Sequence, residues 1–265
     1  QQIKALENWL GVALFTRQTR QLALTAEGEF YLGVAREVLH AHTQGYAGFR
    51  RRFDNRSFKI STSVFVAQEL LIPNYLSFTD FCSDTELRIE AGMSLVDLES
   101  ESIDATIRFG SGNWPNITSQ KLCNIDIAPV CSPDYFAKNP INNIDDLKGH
   151  KLIMTAGMFE VWAQWGLGED SNNQDSMVCD SYMSVMKAAS AGLGVTMGFF
   201  PIVNTWVNKG LLVSPFTHRT STPYAYWGCS PSNHPHPATE AFLKWSKSVF
   251  EQIPALKAVE DIAPR

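Results

Sequence analysis

Three rhythms of apolar and polar residues follow one another along the 265-residue chain, and each predicts a different kind of element. Over the first ten positions Ile3, Leu6 and Leu10 recur at helical spacing, and Gly11 stops the run. Leu22 and Leu24 then alternate as in a short strand, preceded by Arg17 and Arg20. Helix, turn and basic hairpin together describe a winged helix. From Thr25, a good N-cap with Glu27 placed against the helix dipole, a second helix meets no stop signal before Asp54-Asn55. Along it Leu32, Ala35, Leu39, His42, Tyr46, Phe49 and Phe53 fall at alternating steps of three and four, which is a coiled-coil seam and implies a dimer. At 1.5 Å per residue this helix would span about 43 Å. Gly45 and Gly48 each weaken it by up to about 1 kcal/mol relative to Ala, and a helix packed on its own domain is the competing reading.

From Phe58 onward strands alternate with helices, the rhythm of α/β domains with parallel sheets. Strands are expected at 58–62, 87–91 and 103–110, with a helical segment around Leu70 to Phe81 and a loop at Asn113-Trp114-Pro115. A helix from Met183 to Ala191 is ended by Gly192, and a strand follows over Gly194 to Gly198. Two segments echo each other: Val130-Cys131-Ser132-Pro133 after an apolar strand, and Gly228-Cys229-Ser230-Pro231 after Tyr224 to Trp227. They are read as the two crossings between subdomains.

Charge sharpens this division. Residues 1–56 carry eight Lys/Arg against five Asp/Glu, a net +3, which leaves −8 for the remainder of a chain whose total is −5. Phosphate contacts supply the sequence-independent part of DNA affinity, so the basic end is expected to meet the duplex and the acidic remainder to stay off it. Arg50, Arg51, Arg52 and Arg56 read as a solvated helix end. A 45% apolar content suffices for sizeable cores, and no apolar run approaches the roughly 18 residues of a membrane span. No signal peptide is evident, which makes the cytoplasm the expected compartment. Five cysteines, odd in number and without a CxxC spacing, read as reduced thiols and exclude a disulfide framework or a zinc site.

Catalytic motifs are missing. There is no GxSxG, P-loop, GxGxxG or HExxH, and Ala191-Gly192-Leu193-Gly194 lies after a helix, the reverse of a dinucleotide site. His234-Pro235-His236-Pro237 has no Cys or acidic partner at ligand spacing, so neither a metal nor a cofactor is expected. The positive signal is a cleft, because open α/β sheets bind ligands beyond the carboxyl ends of their strands. Thr62-Ser63 and Arg108-Phe109-Gly110 end two strands, and Ser132 and Gly198-Phe199 are placed on the facing edge. Arg108 either holds the carboxylate of a ligand or pairs with Asp104 or Asp180. Trp162 and Trp165 either roof the pocket or belong to the core.

The string QQIKALENWLGVALF followed by Arg17, Arg20 and Leu22-Ala23-Leu24-Thr25 resembles the LysR-type transcriptional regulators at the junction of recognition helix and wing. The runs IDATIRFGSGNWPNI, PVCSPDYF, AASAGLGVTMGF and YWGCSP are similar to the effector-binding domain of the family's glycine-cleavage-activator branch. The likeness covers nearly the whole chain. In that register the chain lacks an initiator Met and the first two helices, so Gln1, Gln2 and Lys4 would remain of the recognition helix and, with Arg17 and Arg20, touch DNA. The resemblance implies a fold like type 2 periplasmic binding proteins and an effector held by Thr62, Ser63, Arg108, Phe109, Ser132 and Gly198. It also implies a homodimer or homotetramer on double-stranded promoter DNA, with RNA polymerase as a further partner. The expected layout is a partial winged helix over 1–24, a linker helix over 25–56 and an α/β effector-binding domain over 57–265. Within that domain, subdomain I takes 57–130 and 229–265, and subdomain II takes 131–228. The expected function is regulatory and not enzymatic. A solute-binding protein of a transport system and a small-molecule enzyme using Arg108 are the competing readings.

Overall fold

A computed structural model describes residues 2–18, 21–53, 57–92, 98, 103–167, 176–233 and 235–257. The N-terminal part is built as its pattern requires. Helix α1 (Gln2–Leu10) stops at Gly11, whose φ of 72° is the left-handed conformation that favours glycine. Strands β1 (Phe15–Gln18) and β2 (Gln21–Leu24) form an antiparallel hairpin, with Phe15 opposite Leu24. Glu7 ties the turn between helix and hairpin, its Oε1 accepting from the backbone N–H groups of Leu14 (2.8 Å) and Phe15 (3.2 Å).

Helix α2 (Ala26–Phe53) follows, 28 residues and so about 42 Å long. Thr25 caps it: its hydroxyl accepts from Gly28 N at 2.9 Å and donates to Ala13 O at 2.7 Å. A Cβ on Gly28 would come within 2.1 Å of Leu14 O, so only glycine lets the first turn of α2 lie against the loop before the wing.

The remainder is an α/β domain on a six-stranded mixed sheet ordered β4-β3-β5-β10-β6-β9. Its strands are β3 (Ser57–Thr62), β4 (Glu86–Ala91), β5 (Ala105–Gly110), β6 (Ile117–Val130), β9 (Thr196–Phe200) and β10 (Thr220–Pro231). Between β6 and β9 the chain adds a parallel pair, β7 (Ile153–Thr155) and β8 (Met177–Cys179). The first half packs α3 (Val64–Val66), a π turn (Ala67–Leu71), α4 (Tyr75–Phe81) and α9 (Thr239–Glu251) around β3, β4 and β5. The second half carries α5 (Pro133–Lys138), α6 (Phe159–Ala163), α7 (Tyr182–Ser190) and α8 (Asn204–Asn208).

Two expectations about elements are corrected. The helical run after β3 begins at Val64, not near Leu70, because Ser63 caps it at once through a bond from Val66 N to its hydroxyl. Cys229, Ser230 and Pro231 do not follow the aromatic strand but continue it to its end.

Candidate functional site

Both halves share β6 and β10. Strand β6 pairs with β10 from Ile117 to Ile127, across a register break, and from Asp126 to Val130 its other edge pairs with β9. Strand β10 has a register break between Ser221 and Ala225, and from Ala225 onward it pairs also with β5. Within their length the shared strands gain a second neighbour, β6 taking on β9 from Asp126 and β10 taking on β5 from Ala225. Strands β3 and β5 run toward this level, so Thr62, Ser63, Phe109 and Gly110 stand at the edge of the first half. From the second half Phe199 and the start of α7 meet them.

The meeting is made of aromatic rings. Phe109 stacks on Phe199 (centroids 5.2 Å apart, planes at 10°), and Phe199 stacks on Tyr182 (4.7 Å, 10°). Phe65 of α3 packs edge-on against Tyr182 at 5.1 Å, and Tyr224 and Tyr226 each lie 5.5 Å from Phe109. Tyr182 also completes β9: its hydroxyl accepts from Phe199 N (3.0 Å) and donates to Met197 O (3.1 Å). Those groups lie on an edge of the strand where an unsatisfied partner would be costly. Burial raises the Tyr182 phenol well above its ordinary range, so it acts as a neutral donor and acceptor.

Two serines frame the rings. Ser63 caps α3, and Ser181 caps α7 by accepting from Ser184 N at 3.3 Å. The Ser181 and Ser184 hydroxyls lie 2.8 Å apart, and Ser184 donates to exposed Asp180 at 3.1 Å. The contact of Phe65 with Tyr182 brings the elements that these two serines cap together at the boundary between the halves. Ser181 and Tyr182 were not singled out in the sequence, where their only signal was a serine three residues ahead of another at the head of an apolar helix.

The remaining expected site residues divide. Thr62 is at the edge, with its hydroxyl donating to Ile107 O at 3.3 Å. Phe109 is central to the ring cluster. Arg108, its neighbour on β5, points to the opposite face as strand alternation requires. There it pairs across the ladder with Trp227 and lies 5.6 Å from the Trp114 ring, while Lys121 sits 5.1 Å from the Trp227 ring. Gly198 is in the middle of β9 opposite Ala128, where a Cβ would press within 2.8 Å of Val130 Cγ1. Its role is close strand packing. Ser132 caps α5 beyond the far end of β6, six residues past Asp126 and so about 20 Å from the meeting edge. The fold does not bring Ser132 to Thr62, Ser63 and Phe109. Trp162 and Trp165 are both buried in the core and form no lid.

At the basic end, Gln2 and Lys4 lie on exposed turns of α1. Arg17 is in β1, its side chain outside the described atoms, and Gln1 and Arg20 lie outside the described residues. An apolar cavity of about 470 Å³ opens between α1 and α2, lined by Leu10, Val12, Leu14, Phe30 and Tyr31 among others. His236, half of the His-Pro repeat, is buried, and its Nδ1 accepts from Ala238 N at 3.0 Å; His234 lies outside the described residues. Among the described residues no cluster of His, Cys, Asp and Glu suits a metal, and no helix is long and apolar enough to cross a membrane. All five cysteines are free.

Comparison with known proteins gives the family. Residues 51–251 match the LysR substrate binding domain, and residues 1–29 match the bacterial regulatory helix-turn-helix protein family of LysR type. The glycine cleavage system transcriptional activator of Escherichia coli K12 is 30% identical over 259 residues, covering 95% of this chain and 84% of that protein. The transcriptional activator AmpR of Citrobacter freundii is 28% identical over 257 residues, covering 95% and 87%. The solved effector binding domain of the same AmpR superposes with a TM-score of 0.65 at 26% identity, over 74% of this chain and 99% of that one. CrgA, a LysR-type regulator from Neisseria meningitidis, superposes over 96% of this chain and 88% of its own with a TM-score of 0.60, a likeness of fold at 18% identity.

Proposed function

The chain belongs to the LysR family of bacterial transcriptional regulators, and from that premise we propose that it binds promoter DNA as a homo-oligomer whose grip changes when a small molecule enters the cleft. One observation carries the reading. A single chain joins a helix and basic hairpin of the regulatory helix-turn-helix family to a two-half domain through a 28-residue helix. The apolar seam on that helix supports pairing: Leu39 is 65% exposed and Tyr46 58% exposed in the lone chain. A second copy would cover them.

The effector is held at the aromatic edge, between the hydroxyls of Ser63 and Ser181 and against Phe109 and Phe199. A carboxylate on it would feel Arg108 through its charge across β5 and not by direct contact, since Arg108 lies on the other face. Thr62 shapes the floor. Ser132 and Gly198 support the second half without touching the ligand. An effector moves the equilibrium only by its differential affinity for two arrangements of the oligomer, typically about 1–3 kcal/mol. The work is done on the promoter, in the cytoplasm, with RNA polymerase as the partner of an activating form. A solute-binding role has less support, because it gives residues 1–29 nothing to do.

Mapping the DNA bound by the intact protein in its own cell tests the reading. A few discrete promoter sites are expected; uniform or absent occupancy would contradict it.

A further inference from the structure

Helix α8 belongs to the second half, yet the first half grips it at two places. Trp206, buried in α8, donates from Nε1 to Glu69 Oε2 in the π turn of the first half at 2.9 Å. Its ring lies 6.2 Å from that of Phe65 and 5.1 Å from the ammonium of Lys187. On the other side the tail after α9 crosses over. Asn204 Nδ2 donates to Pro254 O at 2.8 Å, and Asn208 Nδ2 donates to Ala255 O at 2.8 Å. Lys257 N donates back to Asn208 Oδ1 at 3.0 Å, so the Asn208 amide pairs with the tail at both ends. Ile253 and Leu256 pack on the core beneath.

Asn204 is 4% exposed, and among the described residues its Oδ1 has no hydrogen-bond partner. A buried amide in α8 is unfavourable except where its donor is used, and among the described residues that donor is taken by the tail. Through Phe65, moreover, Trp206 is continuous with the cleft rings: Phe65 touches Tyr182, Tyr182 stacks on Phe199, and Phe199 stacks on Phe109. Moving α8 away from the first half would break that series at its outer end.

We infer that residues 253–257 are a strap that holds the cleft closed, with α8 as its fastening point. The strap lowers the free energy of the closed arrangement before any ligand arrives, so it sets how far the resting population lies from the liganded one. This regulation acts on the cleft itself and does not depend on which molecule fills it.

Hydrogen exchange on the full chain, without ligand, tests the strap. Asn204→Leu keeps the buried volume and removes the donor; Asn208→Ala removes the two-ended pairing at a half-buried position. In either variant the Lys257 amide is expected to exchange about tenfold faster or more. The Phe199 amide, which donates to Tyr182 at the far end of the ring series, is expected to accelerate with it. Acceleration confined to the tail, with Phe199 and the amides of α7 unchanged, would overturn the inference and leave the tail a locally docked terminus. Should Asn204→Leu fail to fold, Asn208→Ala decides the question by the same comparison.

Discussion

Phe109 and Phe199 lie ring on ring, 5.2 Å apart with their planes 10° from parallel, although one ends β5 in the first half and the other belongs to β9 in the second. The separation is within the range of favourable offset stacking. Since Tyr182 covers the opposite face of Phe199, one side chain holds a three-ring layer across the boundary. Phe199→Ala should therefore cost about 3–5 kcal/mol in urea unfolding of the full chain. Tyr182→Phe keeps the layer but strands the N–H of Phe199 and the carbonyl of Met197, and should cost about 1–3 kcal/mol. A near-neutral Phe199→Ala would mean that the halves are held elsewhere.

Arg108 gives a second test, because its two possible roles separate in the measurement. Placed beside Trp114 and away from Phe109, it should act on stability: Arg108→Ala is expected to lose about 0.5–2 kcal/mol of cation–π contact. Promoter induction in a reporter strain should persist in that variant and be lost in Ser63→Val with Ser181→Ala. The opposite pattern, induction lost with Arg108 and kept without the serines, would restore direct contact between Arg108 and an anionic ligand.

Local signals were legible in the sequence and end-to-end relationships were not. Gly11, the Thr25 cap and Gly192 each act within a turn of their own position, and each stands where its chemistry required. Ser132 has the same kind of local signature, a serine before Pro133 at a helix start, and it does cap α5. What its sequence lacks is the direction of β6, which runs away from the first half and carries Ser132 with it. Val64, Phe65 and Val66 have poor helix propensity, so the early start of α3 was hidden until Ser63 fixed it. The pairing of Asn204 and Asn208 with a tail some fifty positions later leaves no periodic trace.

The linker helix makes a prediction about assembly. Leu39 and Tyr46 are exposed on one chain, and replacing both with Glu should shift the oligomer toward monomer in sedimentation at micromolar concentration. The circular dichroism and unfolding of the effector-binding half should not change. An oligomer that survives the double substitution would place the main interface in that half.

The cysteines predict a pH profile. Burial pushes the thiols of Cys123 and Cys131 from 9.0 up to about 12. A group whose folded pKa is raised stabilises the fold below its unfolded value, and that contribution is lost as pH rises from about 9 through 12. Stability should fall across that window, and alkylation at pH 8 should reach half-buried Cys82 well before buried Cys131. Early labelling of Cys131 would place it outside the core.

DNA reading by the basic end is the proposed activity on which the regulatory role depends. Footprinting of the intact protein on the promoter region beside its own gene, over a series of salt concentrations, tests that most directly. A discrete protected site is expected, with affinity falling as salt rises. Arg17→Ala and Arg20→Ala should each lower the salt slope by about 1 while leaving the protected sequence the same. No protection above that on random DNA, or a slope unchanged in both variants, would contradict the account.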